Sequence, residues 1–150
     1  MLRPARTEVT RKRVLLVVAS SHTAELVGER LRRNALVEQV DVVGDVDEAV
    51  DYLLRRNAHA RRTTAEPALV LLDVGLGDDP CDDLRRLKSD PRTQSMPVVI
   101  LTAPARAADI AANYDQGANA CVVKPSRMAE LSEVIAEVAA FWLGVNRPPW

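Results

Sequence analysis

An aspartate, a threonine and a lysine each stand at the end of a short apolar run in this 150-residue chain. Asp73 closes Val70-Leu71-Leu72-Asp73, Thr102 follows Val98-Val99-Ile100-Leu101, and Lys124 follows Ala120-Cys121-Val122-Val123. A carboxylate can attack phosphorus and become an aspartyl phosphate. Its approach to an anionic donor needs local positive charge, which a lysine and a divalent cation supply. A hydroxyl nearby offers a hydrogen-bond donor that can change position between two states. Each residue alone has a plainer reading: an Asp at a strand end is often a helix cap, a Thr is often a satisfied polar group, and a Lys is often solvated. Their value depends on whether the fold gathers them on one rim.

The elements that would gather them can be read from periodicity. Apolar runs at residues 14–19, 40–43, 68–72, 98–101 and 120–123 are short and rich in Val, Leu and Ile. Such runs are expected of strands buried on both faces of a parallel sheet. Asp41 interrupts the second run, which therefore reads as an edge strand. Between the runs the period becomes helical. Residues 23–33 use Ala24, Val27 and Leu31. Val46, Ala49, Val50, Leu53 and Leu54 make a full stripe. The third helix begins near Asp79-Pro80, with Pro at the first helical position and Leu84 and Leu87 inward. Ala107, Ile110, Ala111 and Tyr114 repeat the pattern, and Gly117 stands where a C-terminal glycine belongs. Met128, Leu131, Ile135, Val138 and Trp142 form the last stripe, with Ser126 as N-cap. Strand–helix five times over reads as an open α/β sheet with right-handed crossovers. In such sheets, sites form at the carboxyl ends of the strands, beside the topological switch point. That rim is where Asp73, Thr102 and Lys124 fall.

Composition narrows the class. Hydrophobic residues are 47% and charged residues 27%, the balance of a globular chain. Twenty Lys and Arg against 21 Asp and Glu give a net charge of −1, so no positive field exists to hold nucleic acid. The apolar run after the basic start spans too few residues for a signal peptide or a membrane span, and the two Cys lie in no metal-type cluster. A cytoplasmic domain is expected over residues 13–145. Residues 1–12 are expected to be a disordered basic tail, and 146–150 a C-terminal tail. Residues 57–67, with Arg61, Arg62, Thr63 and Thr64, read as a solvated loop rather than an anion site.

With Asp73, Thr102-Ala103, Gly117-Ala118-Asn119-Ala120 and Lys124-Pro125 in this order, the chain resembles the receiver domain of bacterial two-component response regulators over residues 13–143. The segments Leu87-Lys88-Ser89-Asp90-Pro91 and Phe141-Trp142-Leu143 are similar to stand-alone receivers that partner bacterial phytochrome kinases. The resemblance implies a flavodoxin-like (βα)5 fold, a doubly wound parallel five-stranded sheet of order 2-1-3-4-5. It implies that Asp73 accepts a phosphoryl group from a sensor histidine kinase, with a bacterial phytochrome as the candidate. It further implies that Thr102 rearranges to bond that group and that Lys124 pairs with it. It suggests a cis bond at Pro125, an isomer that sequence leaves open. The protein is not expected to be an enzyme.

Three departures from the family stand out. The two acidic residues that follow the first strand in the family, and help hold magnesium, are replaced by Val18 and Ala19. Mg2+ demands near-octahedral oxygen coordination, and Asp73 with the Gly75 carbonyl are the protein ligands left. A weak or absent magnesium site is the expectation, with Asp78 and Asp79 read as the start of the third helix rather than as substitutes. The aromatic residue usually found three positions before the lysine is Cys121, read as a small buried thiol, and Cys81 reads as more exposed. The loop from Gly75 to Asp79 lacks the family's proline and Asp-Gly turn, and runs about one residue short.

Three functions compete: a phosphoryl-accepting receiver, a pseudo-receiver that signals through protein contacts without phosphorylation, and a flavodoxin-like flavin binder. The last draws on the hydroxyl-rich Ser20-Ser21-His22-Thr23 before a helix. Flavin binding usually adds aromatic rings, and aromatics are 3% here. No winged or helix-turn-helix unit fits after residue 143, so output is expected through another protein or a homodimer. The apolar cluster Phe141, Trp142, Leu143 and Val145 places that dimer on the face of the last two helices. His22 reads as a surface residue rather than a phosphotransfer histidine.

Overall fold

The computed structural model describes residues 10–75 and 78–150. Most of the expected N-terminal tail, and Leu76-Gly77 of the shortened loop, lie outside the described residues. Strands β1 (Lys12–Val17), β2 (Val37–Val43), β3 (Leu69–Val74), β4 (Val98–Thr102) and β5 (Ala120–Val123) alternate with helices. The helices are α1 (Ser21–Arg32), α2 (Val46–Leu54), α3 (Cys81–Ser89), α4 (Ala107–Asp115) and α5 (Met128–Ala139). All pairings are parallel and the order is β2-β1-β3-β4-β5. The fold class and the strand order are those read from the sequence.

Alternation along β1 explains why its run is continuous. Leu15 and Val17 enter a core built with α2 and α3, among them Val46, Val50, Leu84 and Leu87. Val14, Leu16 and Val18 enter a second core with Val27 and Leu31 of α1 and Ile135 of α5. Successive strand side chains point to opposite faces, so two apolar layers demand an uninterrupted apolar strand. Each fully buried Leu or Val contributes about 1.5–3 kcal/mol.

Several expectations need correction. Lys12 already belongs to β1, because its N–H donates to the Leu36 carbonyl at 2.8 Å and the residue pairs with Val37. α3 begins at Cys81, with Pro80 as its N-cap rather than its first residue. α5 is capped at Arg127, not Ser126. The Lys124-Pro125 bond is trans. Lys124 holds its place because its N–H donates to the Thr102 carbonyl at 2.7 Å, extending the β4–β5 ladder into the turn.

The apolar stripe of α4 does not face the core: Ala107 and Ala111 are exposed and Tyr114 is 49% exposed, whereas Asn113 is 4% exposed. Two polar tethers set this rotation. The Asn113 side chain accepts a long contact from the Cys81 thiol at 3.8 Å, and the Tyr114 hydroxyl accepts from the Cys121 backbone N–H at 3.2 Å. β5 is an edge strand, so that N–H has no strand partner and a side chain can satisfy it. The same edge position leaves Cys121 half-buried rather than buried.

After α5 the chain runs on as a π-helical turn over Ala140–Val145, closed by the Asn146 N–H on the Phe141 carbonyl at 2.7 Å. The widened turn puts Leu143, 2% exposed, in the core, while Trp142 is half-buried. Met128, at the start of α5, is 57% exposed and leaves the expected stripe.

The segment 57–67 is more than a solvated loop. The Arg62 side chain, 6% exposed, stacks 4.2 Å over the Tyr52 ring and donates to the carbonyls of Tyr52 and Thr64. Arg55 and Arg62 both pair with Glu66. Asp41, which breaks the apolar pattern of β2, accepts the Tyr52 hydroxyl. Burial and that bond raise the phenol above its ordinary pKa.

Candidate functional site

β3 and β4 run side by side at the centre of the sheet, with Asp73 opposite Leu101 and Val74 opposite Thr102. β5 pairs with β4 so that Thr102 meets Val123, which puts Lys124 one residue past the ladder. Register alone therefore places the three residues on one rim. Lys124 Nζ lies 2.6 Å from Asp73 Oδ1, and the two side chains are 19% and 9% exposed. An ion pair so little exposed is weakly screened, and removal of either partner would leave a nearly buried charge.

Thr102 is 6% exposed, and its hydroxyl donates to the Ala103 carbonyl at 2.9 Å rather than to Asp73. It lines a cleft of about 290 Å³ together with Gly75, Asp78, Asp109 and Asn113. A second hollow of about 220 Å³ is shared by Asp73, Asp78, Asp79 and Asp83. This side of the rim is acidic. The Asp83 carboxyl is raised above its ordinary value, first by burial and then by the charges of Asp82, Asp45, Asp78 and Asp79.

Asp78, Asp79 and Asp45 are nonetheless committed to the backbone. Asp78 Oδ2 accepts the Gly75 N–H at 3.2 Å, and the Gly75 carbonyl accepts the Asp78 N–H at the same distance. Asp79 accepts from the Cys81 N–H at 3.0 Å, and Asp45 caps α2 through the Glu48 N–H at 2.8 Å. A Cβ at position 75 would sit 2.9 Å from Asp78 Oδ2, so a larger residue there would displace that carboxylate from the Gly75 N–H. Val18 is 4% exposed and packed in the α1/α5 core, and Ala19 offers no oxygen. Among the described residues no group of three or more His, Cys, Asp or Glu is placed to hold a metal ion. With Asp73 held by Lys124, the residues present do not fit an octahedral Mg2+ as the family's acidic pair would.

Ser20 and His22 take quiet places. Ser20 caps α1, accepting from the Thr23 N–H at 3.3 Å, and His22 is exposed in the first turn. Sequence reasoning missed Asn113 altogether, and missed the contacts that Tyr114 and Lys88 make. Lys88 is half-buried and donates to the Met96 carbonyl at 2.6 Å and to Asn119 Oδ1 at 2.8 Å; burial lowers its pKa. Gly117, at φ +105°, packs against the Lys88 stem. Lys88, Asn119 and Gly117 thus join two motifs that the sequence shows only as separate strings.

A parallel 2-1-3-4-5 sheet with a carboxylate, a hydroxyl and a lysine on its carboxyl rim defines a receiver. Residues 14–136 match the response regulator receiver domain, and the chain belongs to that family. Its relatives include Rcp1 from Synechocystis, a response regulator 27% identical over 88% of this chain and 89% of its own length. The probable methanogenesis regulatory protein FilR2 from Methanothrix harundinacea is 29% identical, over 91% of this chain and 86% of its own. The phosphorylated cyanobacterial phytochrome response regulator RcpA superposes with a TM-score of 0.83 at 29% identity, over 94% of this chain and all of that one. Rcp1 has been solved in a Mn2+-bound form, with a TM-score of 0.81 over 93% of this chain and 99% of its own. Family membership sets aside the flavin-binding reading.

Proposed function

We propose that this chain is a single-domain response regulator that accepts a phosphoryl group on Asp73 and signals through protein contacts. The observation that carries the reading is the 2.6 Å pair between Asp73 and Lys124, which sits beside Thr102 at the carboxyl end of β3. In the transfer, an Asp73 carboxylate oxygen forms a bond to phosphorus while the phosphorus–nitrogen bond of a kinase phosphohistidine breaks, and the freed imidazole takes up a proton. Lys124 offsets the charge of the incoming group. Thr102, on leaving the Ala103 carbonyl, supplies a hydroxyl donor. The donor is a sensor histidine kinase, of the phytochrome kind by likeness to the phytochrome response regulator RcpA, and the setting is cytoplasmic. The chain acts as a phosphoryl acceptor, not as an enzyme.

Two further parts belong to the proposal. Magnesium binds weakly or not at all, since Val18 and Ala19 stand where the family has acids. Residues 13–145 form the receiver unit and self-associate through the face of α4, α5 and the turn after it, where Tyr114, Phe141 and Val145 are 49–66% exposed. A second reading, a receiver that signals without phosphorylation, is favoured by one specific observation: Lys124 already pairs with Asp73 Oδ1 in the absence of any phosphoryl group. Phosphotransfer from a purified partner kinase, with and without magnesium and with Asp73→Asn as control, decides between them. Label on the wild type and none on Asp73→Asn supports the acceptor, and no label on either overturns it.

A further inference from the structure

In a strand–helix unit the helix C-terminus returns to the strand N-termini, so the ends of α2 and α3 lie away from Asp73. Arginines gather there, and most are spent. Arg55 gives Nη1 to Glu66 at 2.6 Å and its other nitrogens to the carbonyls of Arg62 and Thr64. Arg86 pairs with Asp47, and Arg92 holds Asp90 through Nε at 3.1 Å and Nη2 at 2.9 Å. Arg56 has no carboxylate partner among the described residues.

The backbone aims Arg56. Arg55 and Asn57, on either side of it, have φ of 54° and 52°, a conformation uncommon outside glycine. Asn57 is tied to the Asp51 carboxylate at 3.0 Å, and the Arg56 N–H to the Asp51 carbonyl at 2.8 Å. The Arg56 side chain leaves this pinned turn for a cleft of about 580 Å³, lined also by Arg86, Ser89, Asp90 and Arg92. Basic residues near helix C-termini complement the dipole, but Arg56 lies beyond the left-handed cap of α2, so that role does not account for it.

We infer that this cleft binds a small phosphorylated solute, with one phosphate held by Arg56, the unused guanidinium N–H groups of Arg86 and Arg92, and the Ser89 hydroxyl. Each guanidinium carries five donors, and the pairs with Asp47 and Asp90 use only some of them. The lining itself holds three arginines and one carboxylate, Asp90, and planar guanidinium forks match tetrahedral oxyanions. Nothing in this site involves Asp73, so its outcome is independent of phosphotransfer.

The test is an amide NMR titration of the full chain with inorganic pyrophosphate in magnesium-free buffer at constant ionic strength. A parallel arm uses orthophosphate, which distinguishes a single-phosphate requirement from a longer ligand. Saturating shifts are expected at Arg56, Arg86 and residues 89–92. Arg56→Gln should weaken binding by about tenfold, the loss of one charge-assisted bond. Ser89→Ala should weaken it less, and Arg33→Gln, on a remote exposed arginine, not at all. Non-saturating shifts, shifts spread over the exposed arginines, or Arg56→Gln and Ser89→Ala both binding like wild type would overturn the site.

Discussion

Replacing Val18 with Glu and Ala19 with Asp restores the acidic pair of the family, and the structure sets the size of the response. Val18 is 4% exposed, its side chain among Val14, Leu16 and Val27 and its N–H on the Val43 carbonyl at 2.9 Å. Its removal forfeits about 1.5–3 kcal/mol of apolar burial. The new carboxylates also stand near Asp73, which is 9% exposed, and like charges there repel without a metal. A total loss of roughly 3–5 kcal/mol is expected in magnesium-free buffer, most of it from Val18→Glu, because Ala19 is exposed. For a domain of this size that lowers Tm by roughly 6–20 °C. Magnesium at about a hundred times its Kd then returns about 2.7 kcal/mol. Circular-dichroism melts over a magnesium titration, on wild type and on the single and double variants, measure both numbers. The double variant should recover with magnesium while wild type hardly moves. A large magnesium-dependent shift in wild type would refute the reading of Val18 and Ala19 as a lost metal site, and so would a double variant indifferent to magnesium.

Lys124→Met strands the Asp73 carboxylate and should cost about 3–5 kcal/mol in urea unfolding; adding Asp73→Asn should recover part of it, whereas equal losses would mean the pair is not coupled. Tyr52, whose pKa is raised by burial and by its bond to Asp41, contributes stability that is fully present below its ordinary value and lost as pH rises through the raised folded one. Tyrosinate absorbance on a Tyr114→Phe background should therefore show Tyr52 ionising late and together with unfolding; early ionisation in a still-folded protein would contradict the burial argument. Light scattering at tens of micromolar should show a dimer that Phe141→Ser with Val145→Ser weakens, and a wild-type monomer would end the homodimer proposal.

How much was legible in the residues follows from the range of each interaction. Continuous apolar runs with helical stripes between them imply a parallel sheet covered on both faces, and strand ends imply a rim, so Asp73, Thr102 and Lys124 could be gathered from the chain alone. The loss of oxygen ligands at Val18 and Ala19 was equally plain, since a side chain without oxygen cannot ligate magnesium wherever it lies. What stayed hidden was decided by contacts between residues far apart in sequence. The rotation of α4 depends on the Tyr114 hydroxyl finding the unpaired N–H of an edge strand and on Asn113 meeting Cys81 of α3. The inward turn of Arg62 depends on the Tyr52 ring beneath it. The extra residue in the last turn of the C-terminal helix, which seats Leu143 instead of Trp142, depends on the shape of the core it meets. Apolar periodicity reports which faces seek burial, because that preference is a property of each side chain. Which face obtains it, and which polar groups find partners, is fixed only when the elements pack and every buried N–H and hydroxyl must be satisfied by whatever the fold has brought within reach.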